Sequence, residues 1–136
     1  MTPETCTLVQ YRLERAREAL AEAMVLLDSG HANTGVNRLY YACFYAVSAL
    51  LLTKGLAATC HSGLRTLFHQ HVIRAGLLPL ALGQLYDRLF DQRQRGDYAD
   101  LVHFEVDEVR SWCGEAQAFV DTVAVLIQQA MESSLP

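Results

Sequence analysis

The sequence predicts an all-α protein, an antiparallel up-and-down bundle of about five helices. Apolar residues recur at helical spacing along almost the whole chain, and no segment shows the alternation typical of a strand. The turns between these segments are short, which favours antiparallel neighbours. The 136 residues are 51% hydrophobic, a length and composition that suit a single domain, residues 1–136, with its own core.

The first two apolar segments predict two long helices joined by a short turn. They span about residues 4–29 and 33–54, and Gly30 and Gly55 are suited to end them. The first helix is expected to bury one set of side chains, Leu8, Tyr11, Ala16, Ala19, Leu20, Ala23, Met24 and Leu27. The second is apolar nearly all round, which is typical of the central helix of a bundle.

The rest of the chain predicts three further helices, over about residues 62–74, 79–94 and 106–132. Ser62 is a suitable N-cap for the first of these, and Pro79 suits the first turn of the second. Gly96 is expected to end the second helix. The third carries a long apolar stripe that should face the core.

The net charge, the cysteines and the absence of targeting signals limit the functions that this protein is expected to have. The net charge of -4 provides no strong basic field, which argues against a protein that coats nucleic acid nonspecifically. The four cysteines have no paired spacing and are expected to be reduced thiols of a cytoplasmic protein. A basic region leading into an apolar core and an apolar window of about 18 residues are both missing from the sequence. We therefore expect neither secretion nor membrane insertion.

The histidines and cysteines do not have the spacing of metal ligands. His69 and His71 are two residues apart, which places them roughly 200° apart on a helix and prevents them from sharing a metal ion. Surface or packing roles are expected for both. The sequence has no phosphate-binding glycine loop, no nucleophile elbow and no pair of carboxylates on one helical face. We expect no metal and no cofactor.

The most polar cluster is the run Arg-Gln-Arg-Gly-Asp-Tyr at residues 93–98, where the fourth helical pattern is expected to end. Packing alone does not require two arginines, an aspartate and a tyrosine around a glycine. The sequence therefore predicts a corner between two helices. This corner is either a capping and salt-bridge device or a functional site.

Two other features each have a structural and a functional interpretation. Asn37, Tyr41, Tyr45 and Ser48 form a polar stripe along the second helix. Such a stripe suits hydrogen bonds between helices, since a tyrosine has an apolar body and a polar tip, but it also suits contact with a ligand. His61 stands at the start of the third helix, where it either caps the helix or helps to bind an anion.

Four motifs follow one another along the chain, Asn-Arg-Leu-Tyr-Tyr-Ala-Cys-Phe-Tyr at 37–45, His-Ser-Gly-Leu at 61–64, Gly-Leu-Leu-Pro at 76–79 and the run at 93–98. Together they resemble the HEPN domain family, in its small prokaryotic branch, over roughly residues 8–125. The resemblance implies a five-helix bundle that commonly dimerises and is often encoded beside a minimal nucleotidyltransferase. Many members act as metal-independent ribonucleases or as the toxin of a toxin–antitoxin pair.

The nuclease motif of the family is only partly matched. Its members carry an arginine and, after four to six intervening residues, a histidine. Arg93 matches the arginine, but Tyr98 stands where the histidine is expected, and His103 lies beyond the usual interval. A histidine is a natural general base for a ribose hydroxyl, whereas a tyrosine, with a reference pKa near ~10, is mostly protonated. The change removes the proton acceptor and keeps a phosphate-binding arginine.

We therefore expect a module that binds a nucleotide or an RNA phosphate, forms a homodimer and partners a minimal nucleotidyltransferase in a toxin–antitoxin type system. The expected nucleotide-binding residues are Arg93, Arg95, Asn37, Tyr41 and His61, with Asp97 and Tyr98 also recognising the nucleotide or the partner. Arg93 is expected to face a partly solvated cleft, so that its replacement changes stability little.

Two alternatives to this hypothesis stay open. One is a metal-independent ribonuclease toxin, in which Arg93 stabilises the phosphate charge and Asp97, Tyr98 or His103 acts as an unusual base. The other is a purely structural corner, in which Asp97 pairs with an arginine to hold the last two helices together. The sequence leaves open whether the protein is an enzyme.

Overall fold

A computed structural model describes residues 1–133, which form five α-helices and no strand. The helices are α1 (Pro3–Asp28), α2 (Ala32–Thr53), α3 (His61–Phe68), α4 (Leu80–Tyr98) and α5 (Val106–Ser133). The predicted all-α class and number of helices are confirmed. Residues 134–136 of the predicted domain lie outside the described part of the chain. None of the described helices is long and apolar enough to cross a membrane.

The helix α2 lies at the centre of the bundle, as its apolar surface predicts. It contacts each of the other four α-helices. It runs antiparallel to α1, since Arg12 on α1 contacts Ser48 on α2, whereas Glu22, farther along α1, contacts Arg38, earlier on α2. Side chains on α2 are therefore placed between α1 on one side and α4 on another.

Aromatic side chains from four helices form a continuous part of the core. Tyr40, Phe68, Tyr86 and Phe119 are all fully buried. The ring centroid of Tyr86 lies 5.9 Å from that of Tyr40, 5.2 Å from that of Phe68 and 6.2 Å from that of Phe119. These distances suit tilted and edge-to-face ring contacts, which add stability beyond the buried area.

The buried stripe of α1 is narrower than predicted. Leu8, Tyr11 and Met24, which were expected to be buried, are exposed. The residues that face α2 include Ala16 and Ala23, whose small side chains let the two helices approach closely. Leu8 and Met24 flank this stripe, and Tyr11 lies beyond its edge, because each residue turns about 100° around the helix axis. The other predicted inward residues of α1 are buried.

The ends of α1 and α2 are confirmed, whereas the predicted cap of α3 and the predicted end of α4 are wrong. Cys60, not Ser62, caps α3, because its Sγ accepts a hydrogen bond from the Gly63 amide. The α-helical part ends at Phe68, and a π-helical turn, His69–Ile73, continues it almost to the predicted end at residue 74. Gly96 lies inside α4 and does not end it.

Candidate functional site

Arg93 lies near the end of α4 and points into the bundle. It extends the inward stripe formed by Tyr86, Leu89 and Phe90, which are spaced three and four residues apart on the helix. Only 8% of its surface is exposed. The prediction that Arg93 faces a partly solvated cleft is therefore wrong, because α2 covers the face of α4 on which Arg93 lies.

Hydrogen bonds and aromatic rings surround the Arg93 guanidinium. Its Nε donates to Oδ2 of Asp97 at 3.0 Å, one turn farther along α4. Its Nη2 donates to the hydroxyl of Tyr98 at 3.1 Å and to that of Tyr41 at 3.4 Å. The guanidinium carbon lies 5.3 to 5.4 Å from the ring centroids of Tyr40, Tyr41 and Tyr98. Ion pairing and cation–π contacts thus fix the orientation of the guanidinium.

The polar side chains of α2 join this group. Asn37 donates from Nδ2 to Oδ2 of Asp97 at 2.8 Å, so one carboxylate oxygen accepts from both Arg93 and Asn37. We call Asn37, Tyr41, Arg93, Asp97 and Tyr98 the Arg93 cluster. The predicted corner is in fact a contact between the last two turns of α4 and the first half of α2.

A second arginine, which the sequence analysis did not single out, borders the cluster. Arg38 donates from Nε and Nη2 to Oδ1 of Asn37, at 3.1 and 2.8 Å. Its guanidinium carbon lies 4.9 Å from the ring centroid of Tyr41, and it pairs with Glu22 at 3.6 Å. The sequence did contain a signal for this contact. Arg38 stands three residues before Tyr41 on α2, and residues i and i+3 are neighbours on a helix.

His61 contacts two tyrosines beside the cluster. Its Nδ1 lies 2.8 Å from the Tyr40 hydroxyl, and its Nε2 lies 3.5 Å from the Tyr41 hydroxyl. Because Cys60 caps α3, the capping role considered for His61 is wrong. Burial, and secondly the positive charge of Arg93, lower the pKa of His61 below its ordinary value. The imidazole is therefore neutral at pH 7.

Two of the predicted residues do not bond Arg93. Arg95 lies two residues after Arg93, roughly 200° around the helix, donates to Oε1 of Gln92 at 3.0 Å and lines a shallow surface cavity with Tyr98. His103 lies in the loop after α4 and lines a different surface cavity, at the start of α2. Asn33 holds this loop, since its side chain bonds the backbone of residues 102 and 104.

The stripe on α2 divides into two halves. Asn37 and Tyr41 belong to the Arg93 cluster, whereas Tyr45 and Ser48 accept hydrogen bonds from arginines of α1. The structural interpretation, hydrogen bonds between helices, is thus confirmed for all four side chains. Contact with a ligand stays open as an additional role.

Within residues 1–133, no three histidine, cysteine or acidic side chains are grouped closely enough to hold a metal ion. His69 instead contacts Asp87, with 2.9 Å between Nε2 and Oδ1. All four cysteines are free thiols, of which Cys43 is buried and Cys60 exposed. The Arg93 cluster offers a guanidinium, an amide and phenols as hydrogen-bond donors to an anion, and Asp97 already neutralises part of the Arg93 charge.

Comparisons with known proteins match the chain to one family. The HEPN domain family matches residues 9–126. A protein of Thermotoga maritima named "UPF0332 protein" is 42% identical over 121 residues, which cover 89% of this chain and 92% of the relative. A second UPF0332 protein, from Gloeobacter violaceus, is 36% identical over 97% of each chain. A protein of Methanocaldococcus jannaschii named "Putative toxin MJ0605" is 29% identical over 90% of this chain and 91% of its own length. This chain therefore belongs to the HEPN domain family.

Proposed function

We propose that this protein is a cytoplasmic HEPN-type module that binds a nucleotide or an RNA phosphate at the Arg93 cluster. The observation that carries the proposal is the buried guanidinium of Arg93, oriented by Asp97 and by three tyrosine rings. A preoriented guanidinium loses little conformational freedom when it binds a phosphate in its planar fork. Relatives named as toxins support a role in a toxin–antitoxin type system.

The remaining hydrogen-bonding capacity of Arg93 suits an incoming phosphate. The partners in residues 1–133 use Nε and Nη2, and none of them bonds Nη1. Tyr98 is 72% exposed, and its ring centroid lies 5.3 Å from the guanidinium carbon of Arg93. Its ring offers a stacking surface for a base next to the phosphate site. A nucleotide therefore fits the cluster better than inorganic phosphate does.

Binding is favoured over cleavage because the bases considered from the sequence are poorly placed. Asp97 is occupied by Arg93 and Asn37, and His103 lies in another cavity. One observation favours the ribonuclease alternative, namely that His61 is neutral and contacts Tyr41. It would be the base that the motif itself lacks.

Substitution of Arg93 tests the proposal. Affinity for AMP and for a short single-stranded RNA, measured by calorimetry with chelator present, should fall from arginine to lysine to alanine. Lysine keeps the charge but loses the planar fork, and alanine loses both. We expect a loss of at least about tenfold for Arg93→Ala.

Arg88→Ala is the matched comparison, since it removes the same charge from an exposed position on the same helix, where Arg88 pairs with Glu115. It should change affinity by less than about twofold if the position of the charge matters rather than the net charge. Equal losses for both alanine variants would contradict the proposal. Arg93-dependent cleavage of the RNA by the purified protein would instead establish the ribonuclease alternative.

Self-association is the second part of the proposal. Leu101 is 95% exposed in the loop after α4, three residues beyond Tyr98, so an apolar surface borders the cluster without including the Tyr98 ring. A second copy would cover this surface by isologous twofold pairing, and a minimal nucleotidyltransferase is the further partner that we propose. Light scattering at micromolar concentration should give about twice the 15.2 kDa mass of the chain. A monomer mass there, or a dimer that Leu101→Asp leaves intact, would count against this interface.

A further inference from the structure

A cationic cavity, separate from the Arg93 cluster, lies between α1, α2 and the segment that follows α2. Its volume is about 380 Å³, at the small end of the ~300–1,000 Å³ typical of ligand sites. Arg12 and Arg15 line it together with Tyr11, Tyr45 and Ser48, and the rest of the wall is apolar. The lining contains two positive charges and no carboxylate. An anion is the complementary ligand.

The positive charge of Arg12 is less neutralised than that of Arg15, which pairs with Glu18. Its Nη1 donates to Oγ of Ser48 at 2.6 Å, and Ser48 is only 8% exposed. In the part of the chain that the structure describes, no carboxylate forms an ion pair with Arg12. A half-buried cation held by a neutral hydroxyl has lost hydration without gaining a counter-ion. An anionic ligand in the cavity would supply that counter-ion.

Arg15 is held in place at the same cavity. Its Nη2 lies 3.5 Å from the Tyr45 hydroxyl, its Nη1 pairs with Glu18 at 2.9 Å, and its guanidinium carbon is 5.2 Å from the Tyr45 ring centroid. The hydrogen bond to Tyr45, followed by that to Glu18, raises the pKa of Arg15. Tyr11, 57% exposed at the rim, adds an accessible ring. Arginines beside accessible rings are the elements with which proteins bind single-stranded nucleic acid.

The cavity and the Arg93 cluster lie along the same stripe of α2. Tyr41 contacts Arg93, Tyr45 contacts Arg15, and the ring centroids of the two tyrosines are 5.7 Å apart. Ser48, which anchors Arg12, lies about 10 Å along the axis from Tyr41 at the rise of an α-helix. The two cationic sites are thus joined by adjacent aromatic rings. A free mononucleotide cannot use both sites, but a short polynucleotide can.

We propose that Arg12 and Arg15 form a second phosphate subsite, so that the chain binds single-stranded RNA in preference to a mononucleotide. The RNA runs along the α2 stripe, with one phosphate at Arg93 and a later one at Arg12. Ser48 positions the Arg12 guanidinium, and Tyr45 positions that of Arg15. This inference rests on the proposed function, because it assigns the Arg93 cluster to one phosphate of the same ligand.

Calorimetry on the full chain tests the subsite with two probes, AMP and a single-stranded tetra-adenylate RNA, at one fixed salt concentration. Wild type should bind the RNA at least about tenfold more tightly than AMP. Arg12→Gln keeps a polar side chain at this position but removes the charge. It should weaken RNA binding by about tenfold and change AMP binding by less than about twofold.

Arg17→Gln is the control, since Arg17 is exposed on the same helix and lines neither site. Equal RNA affinities for Arg12→Gln and Arg17→Gln would overturn the subsite, and so would a loss of AMP binding in Arg12→Gln. If Arg93→Ala leaves both probes unaffected while Arg12→Gln weakens RNA binding, the proposed function fails and the Arg12 site stands. If Arg93→Ala weakens both probes and Arg12→Gln neither, the subsite alone fails.

Discussion

Replacing Arg93 with alanine is expected to lower the free energy of unfolding by about 2–3 kcal/mol. The substitution removes an ion pair with Asp97, hydrogen bonds to two tyrosine hydroxyls and contacts with three rings, all at a position that is 8% exposed. It also leaves a space between α2 and α4. The midpoint of thermal unfolding, followed by circular dichroism, should fall by roughly 5–10 °C. This reverses the expectation from the sequence that stability changes little.

A double-mutant cycle separates the ion pair from the rest of this loss. Asp97→Ala should cost a similar amount, about 2–3 kcal/mol, because it leaves the Arg93 guanidinium without its counter-ion at a position that is 8% exposed. The double mutant Arg93→Ala/Asp97→Ala should be less destabilised than the sum of the single mutants. Strict additivity would show that the pair is not coupled, and an unchanged midpoint in Arg93→Ala would contradict the burial argument altogether.

The helices are predictable from the sequence where a local signal is sufficient. Gly30 and Gly55 both adopt positive φ angles, 83° and 72°, just after α1 and α2, and these are conformations that glycine adopts readily. Gly96 carries the same local signal but has another role. A Cβ atom at this position would lie 2.9 Å from the Phe104 ring, so the glycine permits close packing of the following loop. This role depends on a contact with a residue eight positions away. Rules for helix ends use only neighbouring residues and therefore cannot predict it.

In the candidate site, only contacts between residues on the same face of one helix were predictable from the sequence. Arg93 and Asp97 are four residues apart, and their pairing follows from helix geometry. The contact of His61 with Tyr40 requires α3 to fold back onto α2, which spacing does not specify. Arg12 was not identified for a similar reason, since its position opposite Ser48 depends on the antiparallel register of α1 and α2.

Replacing Tyr40 with alanine should have the largest effect on stability, about 3–5 kcal/mol. Tyr40 is fully buried, and its ring centroid lies within 6.0 Å of those of Tyr41, Phe44, His61, Tyr86 and Phe90. Its removal would leave a cavity in the centre of the bundle that neighbouring rings cannot fill without leaving their rotamers. Urea unfolding would measure the loss. If the slope of the unfolding free energy against urea concentration is unchanged, only the stability has changed.

Tyr40→Phe is the matched variant, because it keeps the ring and removes only the hydroxyl that lies 2.8 Å from Nδ1 of His61. Burial raises the pKa of Tyr40 to about 12, so this hydroxyl is protonated at all ordinary pH values. The phenylalanine variant should cost about 1 kcal/mol, the usual contribution of one hydrogen bond. If Tyr40→Ala costs no more than Tyr40→Phe, the ring is not a packing element.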